Sequence, residues 1–97
     1  MNRAQVLREL NRHLDRIKTE VGVKTLAVFG SVARDEMHDG SDIDVLVEFV
    51  GAPTFDAYMD LKFFLEQLFA TTVDLVTRDA IKPRMRPIIE RDMINVA

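Results

Sequence analysis

The segment Asp42-Ile43-Asp44-Val45-Leu46-Val47-Glu48-Phe49 constrains this chain more than any other. Acidic side chains stand at 42, 44 and 48 and apolar ones at 43, 45, 47 and 49, with Leu46 as the single exception. Successive side chains on a strand point to opposite faces, so this spacing predicts a strand that buries one face and carries carboxylates on the other. The flanks agree: His38-Asp39-Gly40-Ser41 is a turn signal, and Gly51-Ala52-Pro53 breaks the strand at its far end. A sheet with one apolar face needs a further layer packed on it.

The remaining segments supply that layer. Leu7, Leu10, Leu14, Ile17 and Val21 recur at alternating steps of three and four, which predicts a helix from about Arg3 to Glu20 with this stripe inward and Gly22 as its C-terminal cap. Lys24 to Phe29 reads as a short buried strand that runs into Gly30-Ser31, and Val32 to Glu36 has room for one or two helical turns. Thr54 is placed as the N-cap of a second long helix, with Asp56 in its first turn. Its inward face would be Tyr58, Leu61, Leu65 and Leu68, with Ala57, Phe64 and Phe69 beside them. Thr72 to Thr77 returns to strand composition, Ile88 to Met93 follows Pro87 as a short helix, and Asn95-Val96 is a candidate edge strand. The expected fold class is therefore α/β or α+β, a small mixed β-sheet flanked by helices. At 97 residues the chain is expected to form one domain over 1–97.

Composition narrows the function classes. No apolar run approaches the ~20 residues a membrane helix needs, and the N-terminus leads into an amphipathic pattern unlike a signal-peptide core, so a cytoplasmic protein with no membrane partner is the expectation. There is no cysteine, which removes disulfides and thiolate metal sites. The net charge of −3 argues against a nucleic-acid partner, which calls for a basic surplus. Charge is uneven, however: acids dominate from Asp35 to Asp60, while Arg78, Lys82, Arg84, Arg86 and Arg91 cluster near the end, either as a solvated face or as a site for phosphate or an acidic partner. His13 and His38 have no cysteine companions for a zinc site, and His13 falls on a helix surface.

Three groups of residues carry potential chemistry. Gly30-Ser31 lies where a buried strand gives way to a helical turn. A glycine there lets a ligand approach the backbone, free N–H groups favour an anion, and the serine hydroxyl adds a donor. The plainer alternative is a turn glycine followed by an N-cap serine. Asp42 and Asp44 sit two apart on the strand, their Cα atoms roughly 6.6 Å apart and on one face, so both can reach toward one point. Carboxylates are magnesium ligands, and two like charges side by side are costly without a cation between them. Asp74, flanked by Val73 and Leu75, is a charge inside an apolar strand. If the two strands are neighbours, all three aspartates share one side of the sheet, which suits a two-metal site. The alternative is that each merely faces solvent.

These residues resemble a known family. Gly30-Ser31, ten intervening residues, Asp42-Ile43-Asp44 and a later apolar-Asp-apolar strand are similar to the DNA polymerase beta-like nucleotidyltransferases. Within them, Gly30-Ser31-Val32-Ala33-Arg34-Asp35 and Gly40-Ser41-Asp42-Ile43-Asp44-Val45-Leu46-Val47 resemble the minimal nucleotidyltransferase (MNT) group. The resemblance runs from about Leu26 to Thr77 and implies a nucleotidyltransferase fold. It implies that Asp42 and Asp44 bind magnesium, two ions in all, and that Asp74 completes the site and helps deprotonate or position the attacking hydroxyl. ATP is the implied substrate, its triphosphate held by Gly30 and Ser31, with Ser41 in the same stretch. Arg34 would touch phosphate or partner, an exposed structural role being the alternative. Members of this length are similar to the antitoxin half of HEPN/MNT toxin–antitoxin modules, which bind a helical HEPN ribonuclease and can silence it by moving AMP to a tyrosine hydroxyl.

The implied partner is therefore a HEPN-type toxin, with self-association as the other source of an acceptor surface. Phe55, Met59 and Phe63 lie off the main stripe of their helix, and they serve either as that interface or as a wide buried face. The competing function is a non-catalytic antitoxin that blocks its partner sterically. A nucleic-acid regulator working through the basic tail is the weakest reading.

Overall fold

A computed structural model describes every residue of the chain except Asp39. The chain runs α1 (Arg3–Val21), β1 (Val23–Phe29), α2 (Gly30–Ala33), β2 (Ile43–Phe49), α3 (Phe55–Phe69), β3 (Val73–Thr77), a 3-10 turn (Arg78–Ala80), α4 (Arg86–Asp92) and β4 (Ile94–Asn95). The strands form one sheet in the order β3-β2-β1-β4. β1 pairs antiparallel with β2 and with β4, while β2 pairs parallel with β3, so the sheet is mixed and α3 is the crossover that parallel pairing requires.

Local chemistry sets the element ends. Asn2 and Gln5 form a capping box at the start of α1, and Gly22, at φ 79°, closes it by donating its N–H to the Lys18 carbonyl. Thr54 caps α3 as expected, its Oγ1 accepting the Ala57 amide at 3.0 Å. Pro87 falls in the first turn of α4, which begins at Arg86 and not at Ile88, because the missing proline N–H is no loss there. The turn before β2 closes through Ser41, whose N–H donates to the His38 carbonyl at 3.0 Å and whose hydroxyl accepts the His38 amide at 3.1 Å. The Asp39 part of that expected turn lies outside the described residues.

One sheet face is covered by α1 and α3. Leu26, Val28, Ile43, Val45, Val47, Val73 and Leu75 pack there against Val6, Leu10, Ile17, Leu61, Leu65 and Phe69. The α1 stripe is centred one residue earlier than its periodicity suggested: Val6, Leu10 and Ile17 are fully buried, while Leu7, Leu14 and Val21 flank them. Phe55 and Phe63 do not fill the core, being 77% and 55% exposed, and Met59 is half-buried. On the opposite face a smaller cluster of Ala27, Leu46 and Ile81 is joined by Phe29, Val76, Ile89 and Met93, so α4 covers only part of that side.

β3 is an edge strand, and α3 occupies two of its main-chain groups. The Glu66 carboxylate accepts the Val73 N–H at 3.1 Å, and the Tyr58 hydroxyl donates to the Leu75 carbonyl at 2.5 Å. Blocking an edge in this way discourages pairing with another chain's strand. Among the described residues, no helix is long and apolar enough to cross a membrane.

Candidate active site

The second face of the sheet changes character along β2. At mid-strand it is apolar at Leu46; toward the start it carries Asp44 and toward the end Glu48. Asp44 is opposite Asp74 in the β2–β3 register and opposite Phe29 in the β1–β2 register. Residues paired in register share a face, so Asp44 and Asp74 project side by side, flanked by the end of β1, where the chain turns through Gly30. The two strands are thus neighbours, as the three-aspartate reading required, but the register sets only Asp44 against Asp74, and Asp42 lies before the strand.

Burial and charge act together on Asp44. It is half-buried on the central strand, whereas Asp42 and Asp74 are exposed. Desolvation, followed by the repulsion of Asp74 and Asp42, pushes the Asp44 carboxyl from 3.8 up to about 6. Arg34 acts in the opposite sense and lies close enough to favour the ionised form. Acceptor-only groups crowded into a partly dry position form a donor set that fits a hard divalent cation, whose charge would remove the repulsion. Among the described residues, no three acidic or histidine side chains are already gathered into a cage for an ion. The close acidic pair is Asp44 with Asp74, and Asp42 precedes the strand from an exposed position.

Gly30 is held tightly in this arrangement. Its φ is 67°, which favours glycine, and a Cβ built on it would fall 2.1 Å from Oδ2 of Asp44. Only a residue without a side chain lets the turn and the carboxylate come this close. Ser31 is not an N-cap: the N-cap position of α2 is Phe29, and no side chain caps it. α2 has only four residues, so its value to an anion rests on main-chain N–H groups near the turn and not on a helix dipole built over several turns.

The segment after the turn is fixed from two sides. Asp35, at φ 58°, accepts the Arg3 amide through Oδ1 at 3.0 Å, and Arg3 Nη1 donates to the Ala33 carbonyl at 3.2 Å. Arg34 donates from Nε to Glu36 at 3.1 Å and from Nη1 to Asp92 at 3.2 Å. Asp92 is a residue that sequence reasoning missed. It lies 58 positions from Arg34, and no local pattern announces a partner so distant.

Two other polar groups make local contacts. The Ser41 hydroxyl already serves its turn. In the basic cluster, Arg78 contacts Thr25 at 3.4 Å and Glu48 at 4.0 Å, Arg86 reaches Glu90 at 3.5 Å, and Arg91 reaches Asp92 at 3.3 Å. These three arginines are engaged locally, as expected of a solvated face. A cleft of about 510 Å³ lies elsewhere, bordered by Lys24, Glu48, Val50 and Arg78. The acidic pair faces solvent, with Asp74 exposed and Asp44 half-buried.

Comparison with known proteins identifies the family and the fold. A family model described as a nucleotidyltransferase domain matches residues 10–96. The chain is 42% identical over 88 residues to "Putative protein adenylyltransferase MJ0128" of Methanocaldococcus jannaschii, covering 90% of each chain. It is 32% identical over 87 residues to protein adenylyltransferase MntA of Thermococcus cleftensis, covering 90% of this chain and 88% of that one. A solved structure described as a "putative minimal nucleotidyltransferase" superposes with a TM-score of 0.81 at 34% identity, over 97% of this chain and 95% of the other. The fold alone is shared with an MNT antitoxin solved in complex with a tri-AMPylated HEPN toxin of Shewanella oneidensis, at a TM-score of 0.67 and 15% identity, over 94% of this chain and 71% of the other. The mixed four-stranded sheet with its helices is thus the minimal nucleotidyltransferase fold, and the chain belongs to the nucleotidyltransferase domain family.

Proposed function

We propose that this chain is a magnesium-dependent protein adenylyltransferase that moves AMP from ATP to a protein hydroxyl, and that the acceptor belongs to a HEPN-type toxin which the chain neutralises as its antitoxin. The observation that carries the reading is the in-register pairing of Asp44 with Asp74 directly beside the Gly30 turn. Relatives named protein adenylyltransferase support the reaction class, and the fold shared with an antitoxin bound to an AMPylated HEPN toxin supports the partner.

The residues divide the work by position. Asp42, Asp44 and Asp74 would hold the magnesium ions. When bound, these neutralise charge developing on the phosphoryl oxygens. Asp44, central and half-buried, serves the triphosphate side, with the main chain at Gly30-Ser31 taking phosphate oxygens. Asp74 stands exposed on the edge strand, where an incoming acceptor is within reach, and orients its hydroxyl or accepts its proton. In the transfer, the acceptor oxygen forms a bond to the α-phosphorus of ATP, the bond to the bridging oxygen breaks, and pyrophosphate leaves. Positioning and charge stabilisation provide most of the acceleration in such chemistry.

The test is transfer of label from α-labelled ATP, with magnesium, to a purified HEPN partner. Asp44→Asn is expected to reduce transfer by about a thousandfold or more while the chain stays folded. Transfer at the wild-type rate by Asp44→Asn would overturn the assignment. A second reading, steric neutralisation without turnover, is favoured by the exposed Phe55 and Phe63, which offer an apolar surface on α3. It predicts that Asp44→Asn still silences the partner's ribonuclease activity.

A further inference from the structure

Arg34 ends α2, and Asp92 ends α4. Their ion pair therefore joins the turn beside the acidic site to a helix that packs on the same sheet face. The two acids that hold Arg34 are unequal. The Glu36 side chain is 63% exposed and its neighbour in sequence, whereas that of Asp92 is 16% exposed and arrives from a distant element. Asp92 is also held by Arg91, whose Nε donates to Oδ1 at 3.3 Å, leaving Oδ2 for Arg34.

A guanidinium has five N–H donors in a planar fork, and these contacts use one at Nε and one at Nη1. Among the described residues the remaining N–H groups make no other hydrogen bond, on a side chain 43% exposed whose own main-chain N–H donates to the Gly30 carbonyl at 3.2 Å, beside the acidic site. With the arginine side chain 43% exposed, such a pair contributes little to stability. A fixed fork is what bidentate phosphate binding requires.

We infer that Asp92 is a positioning residue: by holding one edge of the Arg34 guanidinium, it aims the free edge at the polyphosphate of the nucleotide. The inference rests on the nucleotidyltransferase reading above. The test is calorimetric titration of the full chain with a non-hydrolysable ATP analogue and magnesium. Arg34→Ala is expected to weaken binding about tenfold, and Asp92→Asn about three- to fivefold with an unchanged melting temperature. Asp92→Glu should restore affinity to within about twofold, and the double variant Arg34→Ala/Asp92→Asn should bind no worse than Arg34→Ala, since Asp92 acts through the arginine. Three results overturn the inference while leaving the function standing: Asp92→Asn binding like wild type, losses that multiply in the double variant, or Arg34→Ala binding like wild type. A wild-type chain with no affinity for the analogue overturns both.

Discussion

The two faces of the sheet are built from the same strands under opposite demands. Under α1 and α3, residues such as Leu26, Val45, Val47, Val73 and Leu75 are at most 4% exposed. On the other side, apolar cover is restricted to the small cluster around Leu46 and Ile81, and the strand starts are given to Asp44 and Asp74. The dry face holds the register, because a one-residue slip would turn every core side chain outward. The wet face inherits that register and uses it to set two carboxylates opposite each other. Precision at the site is thus supplied by packing on the far side of the same strands.

If the dry face carries the stability, truncating it should be the most damaging change. Leu65→Ala, fully buried on α3, is expected to cost about 2–5 kcal/mol in denaturant unfolding. Ile81→Ala on the partly covered face should cost less, about 1–2 kcal/mol, because the smaller cluster can collapse toward solvent. Equal losses would mean that the two faces share the load.

Gly30→Ala probes the junction between stability and chemistry. A Cβ against Oδ2 of Asp44 and a left-handed backbone together should cost about 1–2 kcal/mol and displace the carboxylate. AMP transfer is then expected to fall about a hundredfold, a larger proportional loss than any thermal shift would explain. A variant that kept its activity would show that the close approach of turn and carboxylate is not needed.

The smallest effect concerns the strain that the wet face tolerates. Asp44 holds its proton more tightly when folded, at about 6 against 3.8 for the free group, so its protonated form stabilises the fold fully below about pH 4 and that contribution is lost as pH rises through about 6. A gap of about two pH units is worth at most ~3 kcal/mol, and for a half-exposed group screening reduces this to about 1 kcal/mol. Asp44→Asn should therefore gain about 1 kcal/mol on wild type between pH 5 and pH 7 without added metal. Magnesium should narrow the difference by stabilising wild type alone. A difference independent of pH would place the effect in packing and not in charge.

Much of this is legible in the sequence. Thr54 announced the α3 cap, Gly22 the end of α1, and the alternation from Asp42 to Phe49 the central strand, since each is a signal confined to a few neighbouring residues. The fit was looser where several answers satisfied the same local pattern. The α1 stripe from Leu7 to Val21 is apolar enough to face the core, yet tertiary packing rotated the helix to bury Val6. Ser31 had the chemistry of an N-cap but not the position.

By itself the sequence determined which residues could share a face: period two placed Asp42 and Asp44 away from Ile43 and Val45, and Asp74 away from Val73 and Leu75. It did not contain the pairing of β2 with β3, the parallel register that sets Asp44 against Asp74, or the reach of Arg34 to Asp92. Those are non-local contacts, settled only when the whole core closes, because a strand's hydrogen bonds can accept many partners and the buried face selects among them.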